Sequence, residues 1–209
     1  MLHDRGVPAE NWAQTLVDMH AETPVAGIGG CVDNGIDTPW HWGVHFYDFG
    51  RYMPPMDTQE AAHLSITNLA YDSAKLRALG PLIEDRFREV LVHEALTDMG
   101  ERLILTDRAI TYEMRERGST GDLVKEWLFW GTKYARLRSE TATMGQRALR
   151  VLTAPLVPVI LFLRQLRVQR EKRVHMKRFW RAAPTLAIVV TAWAAGEAVG
   201  YVTGPKAKP

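Results

Sequence analysis

Residues 79–107 read LGPLIEDRFREVLVHEALTDMGERLILTD, a run rich in acids and bases between two glycines, followed by a short apolar segment. Phe87, Val90, Leu91, Ala95 and Met99 recur at the spacing of one helix face, which predicts a buried apolar stripe there. Gly100 supplies the stop. Arg86, Glu89 and His93 lie three and four residues apart, so they share the opposite face. ERLILTD then has the composition of a strand. A helix, a glycine stop and a strand together make a unit of a layered α/β sheet.

Upstream segments fit the same architecture. NWAQTLVDMHAE (11–22) predicts a short amphipathic helix with Trp12, Leu16 and Met19 on one side. PVAGIGGCV (24–32) predicts a buried strand closed by a tight glycine turn over 27–30. Such a turn can bring backbone N–H groups to a phosphate, but the Lys-Ser/Thr of a phosphate loop is missing. TPWHWGVHFYDFGRYMPP (38–55) is aromatic and ends in a proline pair, which argues for loop. HLSITNLAY (63–71) reads as strand or extended chain, leading into a helix DSAKLRALG (72–80) that Gly80 closes. Just past the glycine strand, Asp33 and Asn34 are placed to meet polar ligand groups. Trp40, Trp42 and Tyr47 offer faces that suit the apolar surface of a sugar ring.

From Gly121 the character changes. In GDLVKEWLFWGTKYARLR (121–138), Leu123, Trp127, Trp130, Tyr134 and Leu137 form an aromatic stripe, with Lys125, Lys133 and Arg136 towards the other side. A membrane surface selects that pattern. The apolar run 151–163 contains Pro155 and Pro158 and falls short of the ~20 residues of a comfortable span, which favours a re-entrant or interfacial helix. The run 183–202 is long enough to span and carries one charge, Glu197, expected to be a structural one. Between them, 164–181 holds Arg164, Arg167, Arg170, Lys172, Arg173, Lys177, Arg178 and Arg181 against a single acid, Glu171. Flanked by apolar runs, this block suits anionic lipid head groups rather than nucleic acid.

The single cysteine, Cys31, excludes an intrachain disulfide. The seven histidines never approach the density of a His-Glu-x-x-His set, so they are read as structural or surface residues rather than as a zinc site.

In order and spacing, VPAENWAQTL, VAGIGGCVDN, LSITNLAYDSAKLRALG, FREVLVHEALTDMGERLILTDRAITY, FWGTKYARLR, APLVPVILFLR and AAGEAVGYVTG resemble the C-terminal part of bacterial family 2 glycosyltransferases of the GT-A fold. The resemblance implies a partial GT-A-like α/β layer over 1–115. An amphipathic interfacial helix over 116–140 and a membrane-associated tail over 141–209 follow, with a transmembrane helix at 183–202. It implies a chain that lacks the family's nucleotide-binding half, as in a fragment. The implied activity is sugar transfer from a nucleotide-diphosphate donor to a lipid or glycan acceptor of the cell envelope, at the cytoplasmic face of the membrane. Glu89 would be the general base, and His93 would orient it or contact the acceptor. Asp33, Asn34, Asn68 and Trp42 would bind substrate, and Asp4 would ligate a divalent Mg2+ or Mn2+. The competing expectation is a non-catalytic, membrane-anchored interaction module.

Overall fold

The computed structural model of the chain describes residues 2, 4–84 and 88–205. The path runs β1 (Gly6–Pro8), α1 (Trp12–Glu22), β2 (Gly27–Asn34), α2 (Pro39–Phe49), β3 (Gln59–Glu60) and β4 (Leu69–Tyr71). Three helices follow, α3 (Ser73–Arg77), α4 (Pro81–Glu84) and α5 (Glu89–Asp98), and then the long strand β5 (Leu103–Glu113). The remainder is helical: α6 (Thr120–Ser139), α7 (Met144–Thr153), a 3-10 turn (Ala154–Leu156), α8 (Val157–Lys172) and α9 (Met176–Thr203). The chain divides into two units, Met1–Ile36 with Arg51–Arg115, and Asp37–Gly50 with Glu116–Pro209.

The first unit is mixed α/β. Its sheet has the order β1-β5-β2-β4, with β3 also pairing to β5. β2 and β5 are parallel and the other pairs antiparallel. Two apolar groups fill it. Leu16 and Met19 of α1 pack on Val25, Ile28, Ile104 and Ala109, with Trp12 at their edge, which is the face expected from spacing. Val92 and Leu96 of α5 pack on Ala26, Leu64, Leu69 and Leu103. Each such fully buried Val or Leu contributes ~1.5–3 kcal/mol.

The glycines of 27–30 form no turn. They lie within β2, which runs on to Asn34. Their smallness serves close packing where the β2–β5 register breaks. Gly30 is opposite Thr106, yet Cys31 is opposite Ile110, so β5 carries three extra residues. At that point a Cβ on Gly30 would penetrate the Ala109 carbonyl oxygen and the Asn68 amide. The neighbouring backbone leaves no room for anything larger than hydrogen.

Two expectations about α5 also change. Val90, Leu91 and Met99 are 47%, 37% and 57% exposed, while Val92, His93 and Leu96 are buried. The helix begins at Glu89 with Arg88 as its N-cap, and its buried side is rotated from the stripe inferred from periodicity. Phe87 and Arg86 lie outside the described residues. Gly100, with φ of 79°, ends the segment as expected.

The second unit is a helical bundle around α9. The aromatic segment read as leading to loop is largely helix: α2 starts at Pro39, and the Thr38 side chain accepts from the His41 amide at 3.3 Å. Its residues group with this unit rather than with 1–115, because Gly43 lets α2 close on Thr185 and Leu186 of α9, and Phe46 packs on Phe179. α6 lies along the same helix. A Cβ on Gly196 would penetrate the Leu128 carbonyl, and one on Gly200 would meet Thr132 and Ala135. Small residues four apart on α9 thus bring two backbones together. The expected interfacial helix is therefore half a bundle element: Leu123 and Trp127 are buried, whereas Phe129, Trp130 and Leu137 face outward.

The re-entrant reading of 151–163 gives way as well. Helix continues from α7 through the 3-10 turn into α8, because Pro155 and Pro158 occupy first-turn positions, where a missing N–H costs nothing. Met144–Lys172 and Met176–Thr203 are both long and apolar enough to cross a membrane, rather than 183–202 alone. Replacing Gly30 by Ala should lower unfolding free energy by about 1–3 kcal/mol through overpacking, read by urea denaturation; an unchanged midpoint would refute this account of the strand.

Candidate functional site

Asn68 precedes β4, and its side chain is completely engaged. Its Nδ2 donates to the Cys31 carbonyl at 2.7 Å and to the Ala109 carbonyl at 3.0 Å, and its Oδ1 accepts from Trp12 Nε1 at 2.7 Å. Cys31 and Ala109 flank the register break, and Asn68 donates to the carbonyls on both sides of it. The residue expected to bind substrate is occupied by the fold and fully buried.

Trp42 belongs to the second unit and is 4% exposed. Its ring lies against His175 and beneath the Arg178 guanidinium, at 4.8 and 5.1 Å, and its Nε1 donates to Asp37 Oδ1 at 2.5 Å. Arg178 clasps the same carboxylate through Nε and Nη2, at 3.0 and 3.1 Å. With so little of the Trp42 ring exposed, no open face is left for a sugar. This arrangement also accounts for the lowered pKa of Asp37: hydrogen bonds from Arg178 and Trp42 favour its charged form.

Three expected residues collect at one end of the sheet. β2 and β5 are parallel, and their carboxyl ends bring Asp33 opposite Tyr112 and Asn34 opposite Glu113. Gly6 pairs with Glu113, and the Arg5 carbonyl accepts from the Met114 amide at 2.9 Å, so the Asp4–Arg5 turn reaches the same end. Open α/β sheets bind ligands at this end of their strands. Locally, Asp33 Oδ1 accepts from the Asn34 amide at 2.8 Å, and Asn34 Nδ2 donates to the Ile36 carbonyl at 2.9 Å. Among the described residues no three His, Cys, Asp or Glu side chains form a metal-holding group. Asp4 alone is too small a donor set for a protein-held cation.

Glu89 and His93 gather elsewhere, beside Tyr71. His93 is fully buried, and its Nε2 lies 2.7 Å from the Tyr71 hydroxyl. The His63 ring is 6.0 Å away. Burial pushes the His93 pKa down to about 4, helped by His63 and opposed by Glu89, so the ring is neutral near pH 7. Its Nδ1 has no hydrogen-bond partner among the described residues. A proton on Nε2, donated to Tyr71, therefore leaves the smaller penalty, since a buried orphan N–H is worse than a buried lone pair. Burial, and then the charge of Glu89, push the Tyr71 phenol above its ordinary range. Glu89 sits on the first turn of α5, half-buried, one turn before His93.

Tyr71 pairs with Gly27 at the amino end of β2, whereas Asn34 marks its carboxyl end. Seven residues separate these levels, roughly 23 Å of strand. The expected site residues of the first unit thus form two groups rather than one constellation. Sequence reading missed Tyr71 and His63. Tyr71 was within a quoted segment, but its contact with α5 is tertiary, and no local spacing encodes it.

No protein-family model matches the chain, and no curated protein sequence matches it.

Asn68→Ala should cost about 3 kcal/mol or more, because it strips partners from two buried carbonyls and one indole N–H at ~1–3 kcal/mol each. Urea denaturation reads this; a stable variant with only ligand affinity changed would return Asn68 to a binding role. His93 makes a separate prediction. Its folded pKa lies below the unfolded 6.5, so between pH 6.5 and about 4 the unfolded chain binds more protons and stability is lost as the pH is lowered. Melting temperatures of the wild type should therefore fall more steeply across that window than those of His93→Gln. Parallel curves would refute a neutral buried imidazole.

Proposed function

We propose that this chain is the acceptor-side part of a membrane-associated, family 2-like glycosyltransferase working at the cytoplasmic face of the membrane. The observation that carries the reading is the Glu89–Tyr71–His93 group: a half-buried carboxylate at a helix start, within electrostatic reach of Tyr71 and of a buried, neutral His93. Glu89 takes the proton of an acceptor hydroxyl as that oxygen attacks the anomeric carbon of a nucleotide-diphosphate sugar. The new bond is carbon to acceptor oxygen. The broken bond is carbon to phosphate oxygen, and its electron pair leaves on the nucleoside diphosphate.

The Asp33–Asn34 end of β2 lies roughly 23 Å of strand from the Glu89 group and would meet a distal polar part of the substrate rather than the reacting centre. The divalent cation that the resemblance implies, Mg2+ or Mn2+, would neutralise the diphosphate leaving group, and Asp4 by itself is too small a donor set to hold it. The acceptor is a lipid or glycan. Two apolar helices and the basic segment 164–181 support attachment to a membrane surface.

In the native protein, Glu89→Gln should reduce sugar transfer by ~10²–10⁴-fold with an unchanged melting temperature. Transfer from a panel of nucleotide-diphosphate sugars, followed by nucleoside diphosphate release, measures it. Full activity in the variant would remove Glu89 as the base. A wild-type protein that neither binds nor turns over any nucleotide sugar would leave the interaction module as the better reading.

A further inference from the structure

The second unit has two unlike sides. Along the rod made by α7, the 3-10 turn and α8, Leu149, Leu152, Leu156, Val159, Ile160 and Leu163 are each more than half exposed. Their spacings of three and four place them on one face. The inner face of the same rod carries polar side chains in its later turns: Gln165 and Gln169 are buried there beside Leu166, and Gln169 Nε2 donates to the Gly50 carbonyl at 3.5 Å. Arg147 also turns inward, donating to the Tyr201 carbonyl at 2.9 Å, where it caps the end of α9. A helix bathed in lipid on all sides has no use for such an inner face; a helix lying along a surface does.

The other side of the unit carries charge at the level of the α9 midpoint. There Val44, Leu123 and Trp127 pack on Val189 and Ala192, and Tyr47 stacks edge-on to Trp127. The next residues along α2 and α6, Asp48 and Glu126, hold Arg117 at 3.4 and 3.9 Å, and the Arg117 side chain is 6% exposed. If α9 crossed a bilayer with 183–202 as its span, this ion group would sit near the midplane, where charges are most costly.

We infer that the unit does not cross the membrane: the α7–α8 rod lies in the plane of a single leaflet of an anionic bilayer, its leucine-rich stripe in the acyl boundary. Charge complementarity selects the occupant. Arg164, Arg167 and Arg170 follow the stripe on the same rod and are exposed, as are Lys177 and Arg181 at the start of α9. A protein partner has no such reason to meet leucines and then a row of cations, whereas acyl chains topped by anionic head groups do. This takes up the membrane attachment proposed above and is independent of its chemistry, so loss of sugar transfer leaves it intact.

Depth-dependent quenching tests it. Leu149→Cys, Leu156→Cys and Leu163→Cys variants of the full chain, each carrying a fluorophore, are mixed with phosphatidylcholine–phosphatidylglycerol vesicles. Native Cys31 is fully buried and does not compete for label. Shallow spin-labelled lipids should quench all three positions equally, and deep ones should quench none efficiently. A profile deepest at one position and shallow towards the ends would establish a span and overturn the proposal. Absence of quenching at every depth would overturn it too. A second variant with Arg164, Arg167 and Arg170 all replaced by Gln should lose about fivefold of vesicle partitioning per charge, roughly 10²-fold together. Unchanged partitioning would refute the role of the cationic row.

Discussion

The first unit depends on a break in register. Three extra residues in β5 pull the ladder apart between Gly30 and Cys31. Buried carbonyls need donors, and at this break the Asn68 amide reaches the carbonyls of both Cys31 and Ala109. That single amide imposes the other local choices. It needs a glycine at position 30, it draws Trp12 and the start of α1 onto the sheet, and it fixes the chain entering β4. Beyond the break, β2 and β5 resume pairing for four residues and deliver Asp33, Asn34 and Glu113 to the sheet end.

The second unit is governed by a different constraint, the close approach of backbones along α9. Gly196 and Gly200 admit α6, and Gly43 of α2 admits the turn at Thr185, so α9 is enclosed along much of its length while retaining the composition of a spanning helix. Composition alone cannot separate these cases, because a bundle's central helix and a membrane span are both apolar all round. The neighbours separate them. Two helices, carrying Asp48 and Glu126, and the loop residue Arg117 that they hold cover one flank, and a rod with an outward leucine stripe covers another.

What was legible in the sequence follows from whether the governing contact is local. The helix 11–22, the buried strand in 24–32 and the strand after Gly100 are local in origin, although the glycine turn expected to close the second is absent. Each of them appears in the fold. The helix expected over 151–163 is longer than its apolar run, because Pro155 and Pro158 sit at first helical turns, where proline is a favoured residue. The α2 helix was hidden by its aromatic density, which overwhelms a 3.6-residue pattern when nearly every position is apolar. The phase of α5 was wrong because the stripe through Val90, Leu91 and Met99 is the exposed one, and the α5 packing face follows Val92 and Leu96 instead. Asn68 and Trp42, expected to meet substrate, are instead engaged by the fold: Asn68 by a hydrogen bond from Trp12, 56 residues away, and Trp42 by Asp37 and by the side chains of His175 and Arg178 on α9 and its N-cap.

The spacing of Glu89 and His93 shows how far such long-range context changes chemistry. Four residues apart on a helix, an acid and a histidine ordinarily form a weak pair in which the imidazole takes a proton and the carboxylate is stabilised as an anion. Here the sheet closes over the histidine first. Burial makes the imidazolium costly, Tyr71 takes up the Nε2 position, and the ring stays neutral through the physiological range. The imidazole one turn from Glu89 therefore brings no positive charge to that part of the helix. The same pair of residues on an exposed helix would be an ordinary solvated acid–imidazole pair; beside β4 the histidine is instead a neutral hydrogen-bonding partner of the Tyr71 phenol.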